Sequence, residues 1–277
     1  MRSLVVLFIA VVMSLTADAQ LRVMTFNVQH AYGTDGKRSV LRETQWIAAQ
    51  TPDVVVMNEV YQTDLPTYTA DLLKTTGVPW NLVYFADYSG KNEGNVIATP
   101  LPITCSDTHQ YPTTYVGTTN MTMSAIEATI NGYCVFGTHL AWNGFNGRKP
   151  RAIQISDLLS WLPTFQCGQI VMGDFNAQDS NTEIQPMFQQ LIDVWPMAVS
   201  LAMAGSYSDN PPVAEIRTRD TRRIDYIFVT TGITVLSANL PDTRNLAVLP
   251  IASQMVDTND DLGVRPSDHN FWTAVVQ

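Results

Sequence analysis

QIVMGDFNAQDS, residues 169–180, places an apolar run before Gly173 and then sets Asp174 and Asn176 on either side of Phe175. In an extended chain successive side chains alternate faces, so Asp174 and Asn176 point one way and Phe175 points back. Ile170, Val171 and Met172 are apolar on both faces, which predicts a central strand covered on both sides. A carboxylate and a carboxamide at the end of such a strand fit either a turn or a reaction site. The rest of the chain has to decide between them.

Strand-like runs rich in Val, Ile, Phe and Tyr recur along the sequence at 21–28, 53–60, 95–99, 124–130, 133–140, 223–230 and 271–276, in addition to 169–176. Gly, Asn, Asp or Pro bound them, as expected of strands. Helical patterns lie between some of them. Arg38 to Gln50 carries Val40, Leu41, Thr44, Ile47 and Ala48 on one stripe and stops at Thr51-Pro52, while Arg148 to Leu162 stops at Pro163. Residues 200–222 and 241–267 are polar and read as surface excursions. Strands mixed with helices, with several adjacent strand pairs, predict an α/β fold of mixed sheets with helices outside. No repeat or linker divides it.

Non-apolar residues fall at or near the ends of these runs: Asn27, Glu59, His139, Asp174 with Asn176, and Asp225, with Asp268-His269 just before the last run. A buried carboxylate is costly unless paired or bound to a metal, so so many at strand ends predict one shared pocket. Oxygen donors suit Mg²⁺, with Mn²⁺ or Ca²⁺ as alternatives, and the lack of a Cys pair or His-x-x-x-His argues against zinc. Two histidines able to move a proton near neutral pH, a carboxylate–amide pair and an oxygen-bound metal together predict metal-assisted phosphoryl hydrolysis.

The motifs MTFNV, PDVVVMNEV, EGNVIATPLPI, FGTHL, VMGDFNA, RIDYIFV and PSDHNFW, in this order, resemble the endonuclease/exonuclease/phosphatase superfamily with its deoxyribonuclease I-like members. The resemblance spans residues 20–277 and implies a four-layer α/β/β/α sandwich of two mixed sheets, with the site at one edge. It further implies Glu59 as principal metal ligand, helped by Asn27 and Asp268. His269 corresponds to the acid/base histidine oriented by Asp225, and His139 to the second histidine, with Glu93 as its carboxylate partner. Asp174 and Asn176 would hold the attacking water, and Asn95 would contact substrate. Two departures stand out. The stretch before FGTHL has no Arg to grip phosphate, leaving Arg148 or Arg151 as substitutes or as plain helix-start residues. Gln29 stands where some branches have an acidic second metal ligand, which favours one metal.

Features typical of inositol phosphatases are absent, while Trp142 and Phe145 could be either a membrane contact of the sphingomyelinase kind or ordinary packing. Arg217, Arg219, Arg222 and Arg223 form a basic concentration next to Asp225, to meet substrate phosphates or to pair with Asp209, Glu215 and Asp220. The expectation is a phosphodiesterase, nuclease-like in preference to lipid-directed, acting on nucleic acid or a phospholipid headgroup as a monomer. The rival from another class is a catalytically silent binding protein, which the complete residue set argues against.

The first residues, MRSLVVLFIAVVMSLTADAQ, carry Arg2, an apolar segment and Ala17-Asp18-Ala19, the pattern of a secretory signal over residues 1–19. The segment is short for a membrane span, and nothing later resembles one. Its removal takes one Arg and one Asp, leaving the formal net charge at −9. Such acidity gives no electrostatic footprint for tight nonspecific nucleic-acid binding. Cys105, Cys134 and Cys167 allow one disulfide and one spare thiol outside the cytosol, with the pairing open. Asn120-Met121-Thr122 is a glycosylation sequon.

Overall fold

A computed structural model describes residues 20–87, 92–112, 114–116, 119–142, 150–201, 223–240 and 266–277. The expected signal segment lies outside them. In chain order the strands are β1 (Leu21–Asn27), β2 (Val54–Tyr61), β3 (Asn81–Ala86), β4 (Glu93–Thr99), β5 (Ile103–Gln110), β6 (Thr114–Val116), β7 (Thr119–Met121), β8 (Ser124–Ile130) and β9 (Tyr133–His139). They continue with β10 (Gly168–Asp174), β11 (Ile192–Asp193), β12 (Asp225–Val229), β13 (Val235–Asn239) and β14 (Trp272–Val276). The helices are α1 (Val40–Gln50), α2 (Leu65–Thr76), α3 (Pro150–Trp161), α4 (Gln185–Gln190) and α5 (Val194–Ser200).

Two six-stranded mixed sheets, ordered β13-β14-β1-β2-β4-β3 and β11-β12-β10-β9-β8-β5, pack face to face, and β6-β7 form a separate hairpin. The two central pairs, β1 with β2 and β9 with β10, are parallel, and the others are antiparallel. Three apolar clusters fill the three interlayer spaces of an α/β/β/α sandwich. Val23, Val54 and Val56 meet Val135, Ile170 and Met172 between the sheets. On the outer faces, Met24, Val55 and Met57 pack under Trp46 and Leu72 of α1 and α2, and Phe136, Val171 and Phe228 pack under Ile155, Leu158 and Met187 of α3 and α4. That double burial is why VVVM and IVM read as apolar on both faces.

Helix α1 starts where Ser39 accepts a hydrogen bond from the Arg42 backbone N–H, an N-cap that sets the boundary two residues after Arg38. Strand β10 stops at Asp174, because Asn176 takes a left-handed φ of 50° and its N–H bonds to Asp174 Oδ1 at 2.7 Å. The expected extended geometry across Asp174-Phe175-Asn176 therefore gives way to a turn of the aspartate-capped kind. Phe175 is still driven into the outer core. Gly173 is dictated by space: at φ 140° a Cβ there would lie 1.9 Å from the Thr138 carbonyl oxygen on β9. The close approach brings the ends of β9 and β10 together, with Asp174 opposite His139.

Cys134 and Cys167 form a disulfide between the start of β9 and the residue before β10, and Cys105 is free and exposed. No described helix is long and apolar enough to cross a membrane.

Candidate active site

The ends of β1, β2, β9, β10 and β12 and the segment before β14 converge at one edge of the two sheets. Asn27 Nδ2 bridges the sheets, donating to Glu59 Oε1 at 3.0 Å and to Asp174 Oδ2 at 3.1 Å. Its Oδ1 accepts from the Gln29 N–H at 3.0 Å. In this arrangement Asn27 aligns the two carboxylates and turns its oxygen away from them.

Glu59 sits in the bulge where the β2–β4 register shifts, with a left-handed φ of 60°. A non-glycine residue there costs on the order of 1 kcal/mol or more, a strain typical of functional positions. The bulge aims the carboxylate at the sheet edge and its neighbour Asn58 inward. Asn58 Nδ2 donates to Asn95 Oδ1 and to the Thr138 carbonyl, at 2.6 and 3.0 Å, and its Oδ1 accepts from the Asp174 N–H at 3.0 Å. One buried amide thus pins four strands.

Two histidines flank Asp174. His269 Nδ1 lies 2.9 Å from Asp225 Oδ2, and the opposite nitrogen, Nε2, lies 3.8 Å from Asp174 Oδ2. His139 mirrors it, with Nδ1 3.2 Å from Asp87 Oδ2 and Nε2 3.8 Å from Asp174 Oδ2 and 4.0 Å from Glu59 Oε1. A carboxylate behind each ring fixes its orientation and directs Nε2 into the site. Burial opposes protonation of both rings, but the surrounding carboxylates win. His139 is pushed up to about 9 by Asp87, Asp174 and Glu59, and His269 is raised well above its ordinary value by Asp225 and Asp174. Burial and the nearby Asp225 charge raise Asp174 to about 6, with both histidines restraining the rise.

The carboxylate facing His139 is therefore Asp87, not Glu93. Residue 87 directly follows β3, whose antiparallel pairing with β4 carries it to the site edge. Glu93 Oε2 instead meets His30 Nε2 at 2.5 Å, and His30 Nδ1 lies 3.5 Å from Glu59 Oε2. His30 stacks on Tyr61 with ring centroids 4.5 Å apart and occupies a three-residue left-handed stretch, Gln29 to Ala31. Neither Asp87 nor His30 was among the expected site residues. Asp87 carries the same signal as Glu59, an acid closing a strand-like run (NLVYFAD), whereas His30 follows no strand pattern.

Asn95 is fully buried and serves Asp87, donating to its Oδ1 at 2.8 Å and to Ser124 Oγ at 3.0 Å. This corrects the expectation that it contacts substrate. Arg223 is also corrected: only 5% exposed, it bonds Asp193 Oδ1 at 2.9 Å and lies over the Tyr226 ring, which locks the β11–β12 edge. Arg151 reaches Glu183 Oε1 at 2.7 Å and the Ala141 carbonyl at 3.1 Å while still lining a cavity beside Asn176 and His269. Arg148, Arg217, Arg219, Arg222 and Phe145 lie outside the described residues. Asp268 Oδ2 accepts from Gln29 Nε2 at 2.8 Å, and Gln29 in turn donates its backbone N–H to Asn27 Oδ1.

The donor set suits a hard divalent cation. Ligand atoms of Glu59, His139 and Asp174 all lie within 4.8 Å of one another, as do those of Asp174, Asp225 and His269. The two protonated histidines supply part of the charge that these buried carboxylates need, and the carboxylate oxygens among them are donors of the kind Mg²⁺-like ions take.

Residues 24–269 match the profile of the Endonuclease/Exonuclease/phosphatase family. The chain belongs to this family. No curated protein matches it. Among solved structures it is similar to an endonuclease/exonuclease/phosphatase from Bacteroides vulgatus, with a TM-score of 0.69 and 18% identity over 94% of this chain and 99% of that one. It is also similar to D. rerio TDP2 complexed with a single-strand DNA product, with a TM-score of 0.65 and 19% identity over 94% and 100%. A mannosyl-6-phosphatase from Bacteroides thetaiotaomicron aligns with a TM-score of 0.62 and 17% identity over 93% and 99%. At these identities the family member shares the fold with its neighbours, and its chemistry rests on its own site.

Proposed function

We propose that this family member is a divalent-metal-dependent phosphoesterase that hydrolyses phosphodiester bonds, nuclease-like in its substrate. The observation that carries the reading is the arrangement around Asp174: one buried carboxylate between two carboxylate-backed histidines, beside Glu59. No structural role requires two such pairs to face one acid.

In this reading Glu59, aligned by Asn27, would hold the cation, with Asp268 bordering the site. The cation, when bound, supplies Lewis-acid polarisation of the phosphoryl oxygen. Asp174 and Asn176 hold the attacking water, and Asp174 takes its proton. Water oxygen attacks phosphorus as the P–O ester bond breaks. The imidazolium of His139 or His269 steadies the developing charge and returns a proton to the departing oxygen. Asp87 and Asp225 keep both rings charged and aimed.

Export is part of the proposal. Its support is the signal pattern of residues 1–19 together with the Cys134–Cys167 disulfide, since disulfides persist in oxidising compartments. Similar structures include both a protein holding a single-strand DNA product and a mannosyl-6-phosphatase, so the substrate has to be read from this chain's own cavity. The test is a panel of single- and double-stranded DNA, RNA, sphingomyelin and inositol phosphates assayed with Mg²⁺ and Mn²⁺. Cleavage of nucleic acid that EDTA abolishes is expected. Cleavage of sphingomyelin alone would overturn the nuclease-like reading.

A further inference from the structure

Beside His269 and Asn176 opens a cavity of about 400 Å³, lined also by Trp142, Arg151, Gln178, Asn181 and Ile224. It lies at the His269 end of the catalytic cluster, away from Glu59, in the range of volumes that hold a small organic group. Its wall differs in chemistry from that cluster. The Arg151 charge is matched by Glu183, so this guanidinium is not held out for a second phosphate. The Gln178 side-chain amide makes no hydrogen bond among the described residues. Asn181 uses its Oδ1 to accept from the Gln178 N–H at 2.8 Å, and its Nδ2 makes none among them. Trp142 is 59% exposed, the most exposed large apolar side chain among the described residues. An indole, the Gln178 amide and the Asn181 Nδ2 around one cavity, next to the reacting centre, amount to a recognition surface.

We propose that this cavity is the subsite for one unpaired nucleobase of a small or single-stranded nucleotide ester, a refinement that rests on the phosphodiesterase reading. The planar indole matches the face of a base, a contact that tolerates any sequence. The Gln178 amide carries a donor and an acceptor side by side and suits a base edge, with Asn181 Nδ2 as a further donor. A base stacked and paired in a duplex exposes neither its face nor its full edge to Trp142, so the base must be unpaired. The charge of −9 and the neutralised Arg151 fit a ligand held by its base and one phosphate in preference to a long polyanion tracked by cations.

The test combines binding and turnover in the full mature chain and in Trp142→Ala and Gln178→Ala, two variants outside the catalytic cluster. Calorimetric titration compares adenosine 5′-monophosphate with a hexose 6-phosphate. Hydrolysis compares a dinucleoside phosphate, a single-stranded oligonucleotide and the same oligonucleotide in a duplex. The nucleotide should bind about tenfold more tightly than the sugar phosphate, and each variant should weaken nucleotide binding and raise the dinucleotide KM by about tenfold with kcat nearly unchanged. Duplex should be cut far more slowly than single strand. Equal or tighter binding of the hexose phosphate, or nucleotide affinity indifferent to both substitutions, would overturn the subsite. Variant-sensitive nucleotide binding without any hydrolysis would leave the subsite standing and remove the phosphodiesterase reading. Hydrolysis indifferent to the variants would do the reverse.

Discussion

Asp174 stands midway between two imidazoles, its Oδ2 lying 3.8 Å from Nε2 of both His139 and His269. Each imidazole turns its other nitrogen to a further carboxylate, so acid and base alternate from Asp87 through His139, Asp174 and His269 to Asp225. Removing the central carboxylate while keeping its shape should therefore cost the proton acceptor and leave the fold. Asp174→Asn is expected to lower kcat by about 10²–10⁴-fold, with circular dichroism and the KM little changed. A kcat within threefold or so of the parent would remove Asp174 from the proton path.

Asp225 and Asp87 act through their histidines. Asp225→Asn should cost about 10–100-fold in kcat, the usual scale for a residue that orients a catalytic ring. His269→Ala should cost more, and the double variant little more than His269→Ala alone, because both changes remove one device. Additive losses would show that Asp225 has a separate role.

Asn58, fully buried, ties β2, β4, β9 and β10 together through three hydrogen bonds. Asn58→Ala leaves buried polar groups unpaired, and a stability loss of about 1–3 kcal/mol is expected in urea unfolding. Its kcat should fall too, since the Asp174 N–H loses its anchor. Glu59→Gln should behave differently, weakening Mg²⁺ binding in calorimetry with little change in unfolding.

The metal-free protein should lose stability as pH rises. His139 titrates at 6.5 when unfolded and at about 9 in the fold, so the folded state holds the proton more tightly. Its contribution is fully present below pH 6.5 and lost as pH passes 9, with a total on the order of 3 kcal/mol as an upper figure. Melting in EDTA followed across this range should show the decline. The decline should shrink in Asp87→Asn, where the anion behind the ring is gone.

The strand run at 169–176 and its neighbours made the layers legible, because double-sided burial leaves runs such as VVVM and IVM that only a central strand explains. The edge strands were harder. Ile103–Gln110 is exposed at most of its positions, so no apolar pattern marks it. Asn81–Ala86 is half-buried and carried no expectation either, and with it went Asp87. Of the site, the residues at strand ends were readable because a polar side chain closing an apolar run is conspicuous. Their partners were not: whether Glu93 or Asp87 faces His139 depends on the β3–β4 register, and whether Arg223 faces solvent depends on Asp193, 30 residues away. His30 enters through a left-handed turn that no periodicity announces.

The most direct test of the account is hydrolysis of bis-p-nitrophenyl phosphate by the purified chain, with Mg²⁺ and with EDTA, in parallel with His269→Ala. The account predicts turnover that EDTA abolishes, added Mg²⁺ restores and His269→Ala reduces by about two orders of magnitude or more. Turnover that persists in EDTA, or that His269→Ala leaves intact, would contradict it.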